Sequence, residues 1–221
     1  MITDSAAAAI IVEGKSDCHF VRQYLRHLPY GYGDLLFDCK IKSPDRAGKI
    51  MVCPTGEKGG GDGALIGKKI SERVLEIASV SNRALLVVDA NGGGDERRKK
   101  FEDAAQKIKA NTGTDTKLFL LPDDKNPGKL ESLLLRIFRD PEIGGVAECF
   151  DNYEECLRSR GFNPPDLKGK IYAYCEAHRA KPREDERNYL DAKRWNLEHT
   201  ELQPLRDFLL NNLSSPAGEK A

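Results

Sequence analysis

Two acidic residues each follow an apolar segment in the first half of the sequence. Glu13 comes directly after the apolar run 7–12, and Asp89 lies at the end of the aliphatic run 84–90. Because open parallel sheets bind ligands at the carboxyl ends of their strands, we expect the two carboxylates to meet if these strands are neighbours. Paired carboxylates favour a cation, and Mg²⁺ prefers oxygen ligands. The pattern predicts a Mg²⁺ or Mn²⁺ site; the alternative is that each acid only caps the turn between a strand and a helix.

Basic and glycine-rich segments lie close to these acids in the sequence. The stretch 55–63 lacks the Gly-Lys-Ser/Thr ending of a P-loop, although its backbone amides could still contact a phosphate. Lys58 is its one basic side chain, and a plain loop is the alternative. Lys15 and Arg97 are the other candidates for phosphate contact. Arg97 opens the basic run 97–100, which is alternatively a solvated helix face.

Short apolar runs alternate with amphipathic segments over the first two thirds of the chain. This alternation predicts an α/β, Rossmann-like fold with a mostly parallel sheet, helices on both of its faces and further helices at the C-terminus. We expect strands over 7–12, 35–41, 50–53, 84–90 and 117–122. We expect helices over 16–28, 64–78, 129–138, 149–160, 168–180 and 202–213, and a charged helix that follows the glycines 92–94 and ends near 110. The strands 35–41 and 50–53 are expected to form a hairpin.

The strand signals fade after residue 140. We therefore expect an α/β core over 1–140, a helical extension packed on it over 141–213, and a disordered tail over 214–221. Trp195 is expected to pack between the C-terminal helices.

Composition limits the class of protein. The 35 basic and 35 acidic side chains cancel, so any contact with nucleic acid has to be local rather than driven by an overall basic excess. The N-terminal segment lacks the basic region of a signal peptide, and its apolar run is too short to span a bilayer. We expect a cytoplasmic protein without a membrane partner, whose six cysteines are reduced thiols.

Several of these segments resemble the motifs of a known family. Residues 10–25, IIVEGKSDCHFVRQYL, are similar to the first Toprim motif, in which an apolar strand ends in Glu-Gly before a helix. Residues 85–101, LLVVDANGGGDERRKKF, resemble the second motif, an Asp-x-Asp pair on a buried strand. The stretches 118–135 and 195–209 resemble segments of small stand-alone Toprim-related proteins of unknown function. The resemblance covers about residues 6–213 and lies closest to that group, which is related to the nuclease branch.

Toprim domains handle phosphodiester bonds or nucleic acid with Mg²⁺, so the resemblance implies roles for single residues. Glu13 would be the general acid/base or a metal ligand, and Asp89 the main Mg²⁺ ligand. Asn91 stands where the family pattern has its second Asp; its carbonyl oxygen can still ligate, but the site loses one formal charge. Asp95 could compensate for this loss, or it could cap the following helix.

A second acidic cluster is also implied further along the chain. Glu131, in the Gly-Lys-Leu-Glu segment, could join Asp123 or Asp124 there. The alternative is a glutamate in the first turn of a helix, where it stabilises the positive end of the helix dipole.

The residues and the resemblance together predict a Mg²⁺-dependent, nuclease-like or nucleotidyl-transfer-like protein whose partner is nucleic acid or a nucleotide. The alternative is a non-catalytic regulatory or nucleotide-binding module with a degraded metal site. Asn91 and the neutral net charge favour this alternative.

Overall fold

The computed structural model describes residues 6–39, 41, 43–56, 61–138, 146–181, 183 and 186–213. The strands are β1 (Ala8–Val12), β2 (Leu36–Phe37), β3 (Ile50–Pro54), β4 (Arg83–Asp89) and β5 (Asp115–Leu121). The α-helices are α1 (Lys15–His27), α2 (Tyr32–Leu35), α3 (Gly63–Ile66), α4 (Glu72–Ser79), α5 (Gly94–Thr112), α6 (Leu130–Phe138), α7 (Val146–Ser159), α8 (Leu167–Ala177) and α9 (Gln203–Asn212). Short 3₁₀ helices cover Pro44–Arg46 and Thr200–Leu202.

The five strands form one sheet in the order β2-β3-β1-β4-β5, and every neighbouring pair is parallel. The predicted α/β, Rossmann-like fold class is confirmed. After β1 the chain forms β2 at one edge of the sheet and returns to β3 beside β1; it then crosses to β4 on the other side of β1 and continues outward to β5. The switch point therefore lies between β1 and β4, which is where sheets of this kind bind ligands.

Alternate residues of the central strands face opposite sides of the sheet. Ile10 and Val12 belong to a hydrophobic cluster with residues of α1, α6, α8 and α9. Ala9 and Ile11 belong to a second cluster with residues of α3, α4 and α5. Because helices cover both faces, the central strands are continuously apolar, as in the sequence of β1.

The C-terminal helices pack on the α1 side of the sheet. Trp195 is 2% exposed, and its ring lies 5.5 Å from that of Tyr174 and 5.1 Å from that of Tyr189. The predicted packing of Trp195 is confirmed. The Tyr189 backbone N–H also donates to Gln23 Oε1 of α1 at 2.7 Å, which ties the C-terminal segment to the first helix.

The predicted hairpin between the second and third strands is wrong. β2 pairs with β3 in parallel, with Leu36 opposite Ile50. A parallel pair needs a crossover connection of about a dozen residues, and the segment 38–49 supplies that length. Hairpin loops have only about two to five residues, so the long connection already argued against one.

The single helix predicted over 64–78 is instead two helices, α3 and α4. Gly67 has extended backbone angles, and a side chain there would meet the carbonyl oxygen of Gly63. Ser71 then caps α4, because its hydroxyl accepts the backbone N–H of Val74 at 3.3 Å. Apolar residues at helical spacing continue across the break, so their periodicity concealed it.

Part of the predicted domain organisation lies outside the described residues. These include residues 139–145, where the core was expected to end, and the tail 214–221, so both boundaries stay predictions. No helix among the described residues combines the length and the apolar character needed to cross a membrane. The cytoplasmic location also stays a prediction.

The prediction that all cysteines are reduced thiols is wrong for one pair. Cys39, which follows β2, and Cys53, on β3, form a disulfide, with their Cα atoms 5.3 Å apart. The parallel pairing of β2 with β3 brings the two residues within disulfide range. Sequence spacing alone could not reveal this, because it depends on the direction in which β2 runs.

We predict that Cys39→Ala lowers the free energy of unfolding by about 3 kcal/mol, because the disulfide constrains the unfolded chain. In a thermal melt the midpoint should fall by roughly 6–12 °C, and a reductant should lower the midpoint of the wild type but not that of the variant. Cys149→Ala, at an exposed free cysteine, is the control. Equal midpoints for Cys39→Ala and the wild type without reductant would contradict the prediction.

Candidate functional site

Glu13 and Asp89 meet at the switch point of the sheet. Val12 pairs with Val87 in the parallel register of β1 and β4, so both acids leave their strands at the same edge. The backbone N–H of Asp89 donates to Glu13 Oε1 at 3.0 Å. The expected proximity of the two acids is therefore observed, while their chemical roles stay predictions.

The main chain and the side chain of Glu13 are both held in place. The hydroxyl of Thr55, at the end of β3, donates to the Glu13 carbonyl oxygen at 3.0 Å. The Glu13 side chain is 15% exposed, and Arg97 lies 3.3 Å from its Oε1 atom. Burial raises the pKa of this carboxyl to about 7, although Arg97 and the Asp89 N–H act in the opposite direction.

Asp89 is a largely buried carboxyl that forms no ion pair among the described residues. Its Oδ1 atom accepts the backbone N–H of Leu130, the first residue of α6, at 3.0 Å. Burial, with the nearby carboxylates of Asp17 and Glu13, raises the pKa of Asp89 to about 8. One oxygen of Asp89 therefore accepts from the first residue of α6, whereas the capping alternative concerned the turn that follows β4.

Two further buried acids contribute to this negative charge. Asp17, in the first turn of α1, is 8% exposed and accepts the Gly14 N–H at 2.8 Å. Glu131, in the first turn of α6, is 7% exposed, and Lys168 Nζ lies 3.7 Å from its Oε1 atom. Both raise the pKa of Asp89. Asp17 was not among the predicted site residues, although it lies only four positions after Glu13 in the sequence.

Arg97 links the acids to the glycine-rich segment. Its Nε donates to the Asp89 carbonyl oxygen at 2.9 Å, and its Nη1 lies 2.6 Å from Asp62 Oδ2. The guanidinium carbon lies 5.0 Å from the centre of the Phe101 ring, and the side chain is 13% exposed. The phosphate-contact candidate Arg97 is thus part of the site. The sequence analysis did not identify Asp62, whose only signal was its place within the glycine cluster.

The remaining candidates near the switch point take different positions. Asn91 adopts a left-handed backbone with φ of 51°, and its backbone forms a two-way bridge with Gly128. Its side chain is exposed. Lys15 is exposed at the start of α1, and Lys58 lies outside the described residues. Asp95 lies in the first turn of α5 rather than at its N-cap, which is Gly93.

Among the described residues, Asp123, Asp124 and Glu131 do not form a group that could hold a metal ion. Asp123 accepts from Arg136 at 3.3 Å, and Asp124 forms an ion pair with Arg98 at 3.0 Å. Glu131 instead lies within electrostatic range of Asp89. These contacts balance the charges of Asp123 and Asp124, whereas the pKa values of Glu13 and Asp89 at the switch point are raised.

The donor set fits a weakly enclosed Mg²⁺ rather than a metal cage. Within the described ranges, no three Cys, His, Asp or Glu side chains are arranged to hold a metal ion. Mg²⁺ in proteins commonly binds through one or two carboxylates and completes its shell with water and substrate phosphates. Glu13 and Asp89, buried next to each other with raised pKa values, match that two-carboxylate pattern.

Comparison with known proteins gives a family but no function. A family model described as "Protein of unknown function (DUF3226)" matches residues 7–214. The searches of the curated proteins and of the solved structures found no match.

We predict that the raised pKa of Asp89 makes the protein less stable at high pH when no divalent cation is present. The folded state raises the pKa of Asp89 from 3.8 to about 8, so it retains a proton that the unfolded chain has already released. The free energy of unfolding should therefore fall as pH rises through this window. Asp89→Asn removes this titration. Between pH 5.5 and 8.5 the free energy of unfolding of the wild type should therefore fall by roughly 3 kcal/mol more than that of the variant.

Urea unfolding in EDTA at both pH values measures this difference. Asp103→Asn, at an exposed position on α5, is the control and should keep the pH dependence of the wild type. If Asp89→Asn and the wild type lose the same stability between the two pH values, the buried charge is not destabilising.

Proposed function

We propose that this chain, which belongs to the DUF3226 family, binds Mg²⁺ or Mn²⁺ through Glu13 and Asp89 and acts on phosphodiester bonds of nucleic acid or a nucleotide. One observation carries the proposal: two buried carboxylates on adjacent parallel strands meet at the switch point of the sheet, joined by the Asp89 N–H to Glu13 Oε1 bond of 3.0 Å.

The charge balance supports a cation at this place. Four buried or half-buried acids interact here, whereas Arg97 is the only described cation within ion-pair distance of Glu13. Carboxylates that repel each other in a buried site are stabilised by a shared divalent ion. Lys168, near Glu131, is 47% exposed, so solvent weakens its effect on the other acids.

The side chains around the acids suit a phosphate ester. Arg97 offers a guanidinium, whose planar donors match phosphate oxygens. Glu13 either ligates the ion or moves a proton to or from the attacking or leaving oxygen. A bound Mg²⁺ supplies Lewis-acid stabilisation of the charge on the phosphoryl oxygens. The resemblance of residues 10–25 and 85–101 to the Toprim motifs supports the same chemistry.

A second candidate function is a binding module that holds a cation or nucleotide without cleaving it. Asn91 favours this candidate, because the Toprim pattern has an acid there and the site consequently has one charge less. A module of this kind would bind Mn²⁺ and leave nucleic acid intact.

We predict that the chain binds Mn²⁺ and that Glu13→Gln and Asp89→Asn each weaken the affinity by at least about tenfold, because each removes a negative charge in direct contact with the ion. Electron paramagnetic resonance reports the free Mn²⁺. Asp115→Asn, at the start of β5 and the opposite edge of the sheet, should leave the affinity unchanged. Cleavage of single-stranded, duplex and supercoiled substrates, if found, should disappear in both site variants.

If the wild type binds no Mn²⁺, the proposed metal-dependent function loses its basis, and of the second candidate only a module that binds a nucleotide without a metal remains. If it binds Mn²⁺ and both site variants bind equally well, the ion lies elsewhere. Binding without cleavage would favour the module over the enzyme.

We further predict that Asn91→Asp tightens Mn²⁺ binding about tenfold, because it restores the missing charge. Asp tolerates the left-handed backbone of this position better than most residues do, so the variant should fold. The same titration measures the change. An unchanged affinity would mean that residue 91 does not face the ion.

A further inference from the structure

Arg97 already acts as the positive partner of Glu13. All three guanidinium nitrogens are engaged, with Glu13, Asp62 and the carbonyl oxygen of Asp89. The side chain is 13% exposed and packs against the ring of Phe101. Its orientation is therefore fixed by contacts on every side rather than by solvent.

A divalent cation on Glu13 would conflict with this arrangement. Glu13 Oε1 already accepts the Asp89 N–H at 3.0 Å and lies 3.3 Å from Arg97 Nη2. A cation at the same carboxylate would compete for its lone pairs. It would also lie beside a guanidinium of like charge in a partly buried environment, where repulsion is stronger than in water.

The Asp62 contact would survive the loss of the Glu13 contact. Arg97 Nη1 lies 2.6 Å from Asp62 Oδ2, the shorter of its two ion pairs, and Asp62 is 40% exposed at the outer side of the site. If the Glu13 contact were lost, Asp62 and the carbonyl oxygen of Asp89 would still hold the guanidinium.

We propose that Arg97 is the internal counter-ion of Glu13, that a bound divalent cation displaces it, and that the released guanidinium, still anchored by Asp62, then contacts an anionic oxygen of the phosphate ester. This inference rests on the proposed function and adds its regulation. Without a bound ion, Arg97 lowers the affinity of the Glu13–Asp89 site for the divalent cation. Once the ion is bound, Arg97 becomes a positioning residue for the substrate.

The first test compares Mn²⁺ affinities of the full chain and two matched variants. Arg97→Gln removes the competitor and should bind Mn²⁺ about tenfold more tightly than the wild type. Arg98→Gln removes the same charge from the next residue, whose guanidinium pairs with Asp124 and not with Glu13, and should bind within about twofold of the wild type. A higher salt concentration screens long-range electrostatic interactions. The difference in Mn²⁺ affinity between the two variants should persist there, because it arises from a direct contact.

The second test uses the wild-type chain and does not depend on the folding of a variant. With arginine side chains labelled with ¹⁵N, added Mg²⁺ should shift the Nη–H signals of Arg97 as the contact between Nη2 and Glu13 Oε1 breaks. The signal of Arg98 should stay in place.

The outcomes separate the two proposals. If the wild type binds Mn²⁺ but Arg97→Gln binds equally or more weakly, or if the Arg97 signal is unchanged at saturating Mg²⁺, the counter-ion inference is overturned and the cation site remains. If neither the wild type nor Arg97→Gln binds Mn²⁺, the proposed function fails, and the inference fails with it.

Discussion

The site depends on one electrostatic constraint: the fold buries negative charge where β1 and β4 end side by side. Parallel strands with helices on both faces place their carboxyl ends at a common edge. Here that edge receives Glu13 and Asp89, and the first turns of α1 and α6 add Asp17 and Glu131. A folded chain can accommodate several acids this close together in three ways: their carboxyls stay protonated, a cationic side chain pairs with them, or they bind a cation from solution.

The chain uses the first two of these responses when no ligand is present. Burial raises the pKa of Glu13 to about 7 and that of Asp89 to about 8, and Arg97 forms an ion pair with Glu13. A similar pair, Asp123 and Asp124, is balanced by Arg136 and Arg98, which shows how acids of structural importance are accommodated in this protein.

The sequence predicted the strands and their terminal acids because the relevant signals are local. Continuous aliphatic runs such as Leu85–Val88 report burial on both faces, and a polar residue after the run marks the edge of the sheet. The direction in which a strand runs is not encoded locally, and β2 has only two residues. The sequence therefore did not show that β2 and β3 are parallel, and a hairpin was predicted instead. The Cys39–Cys53 disulfide was missed for the same reason. The partners of Arg97 were equally hidden, because Asp62 and Glu13 become its neighbours only after the sheet and α5 have assembled.

The most direct measurement is the anomalous diffraction of crystals grown in MnCl₂. A buried carboxylate pair that binds a divalent ion should give an anomalous peak between the side chains of Glu13 and Asp89, with the guanidinium of Arg97 moved away from Glu13. A map with no peak at this edge of the sheet, and with the Arg97–Glu13 ion pair intact at saturating Mn²⁺, would show that the acids and the arginine form a closed structural network instead.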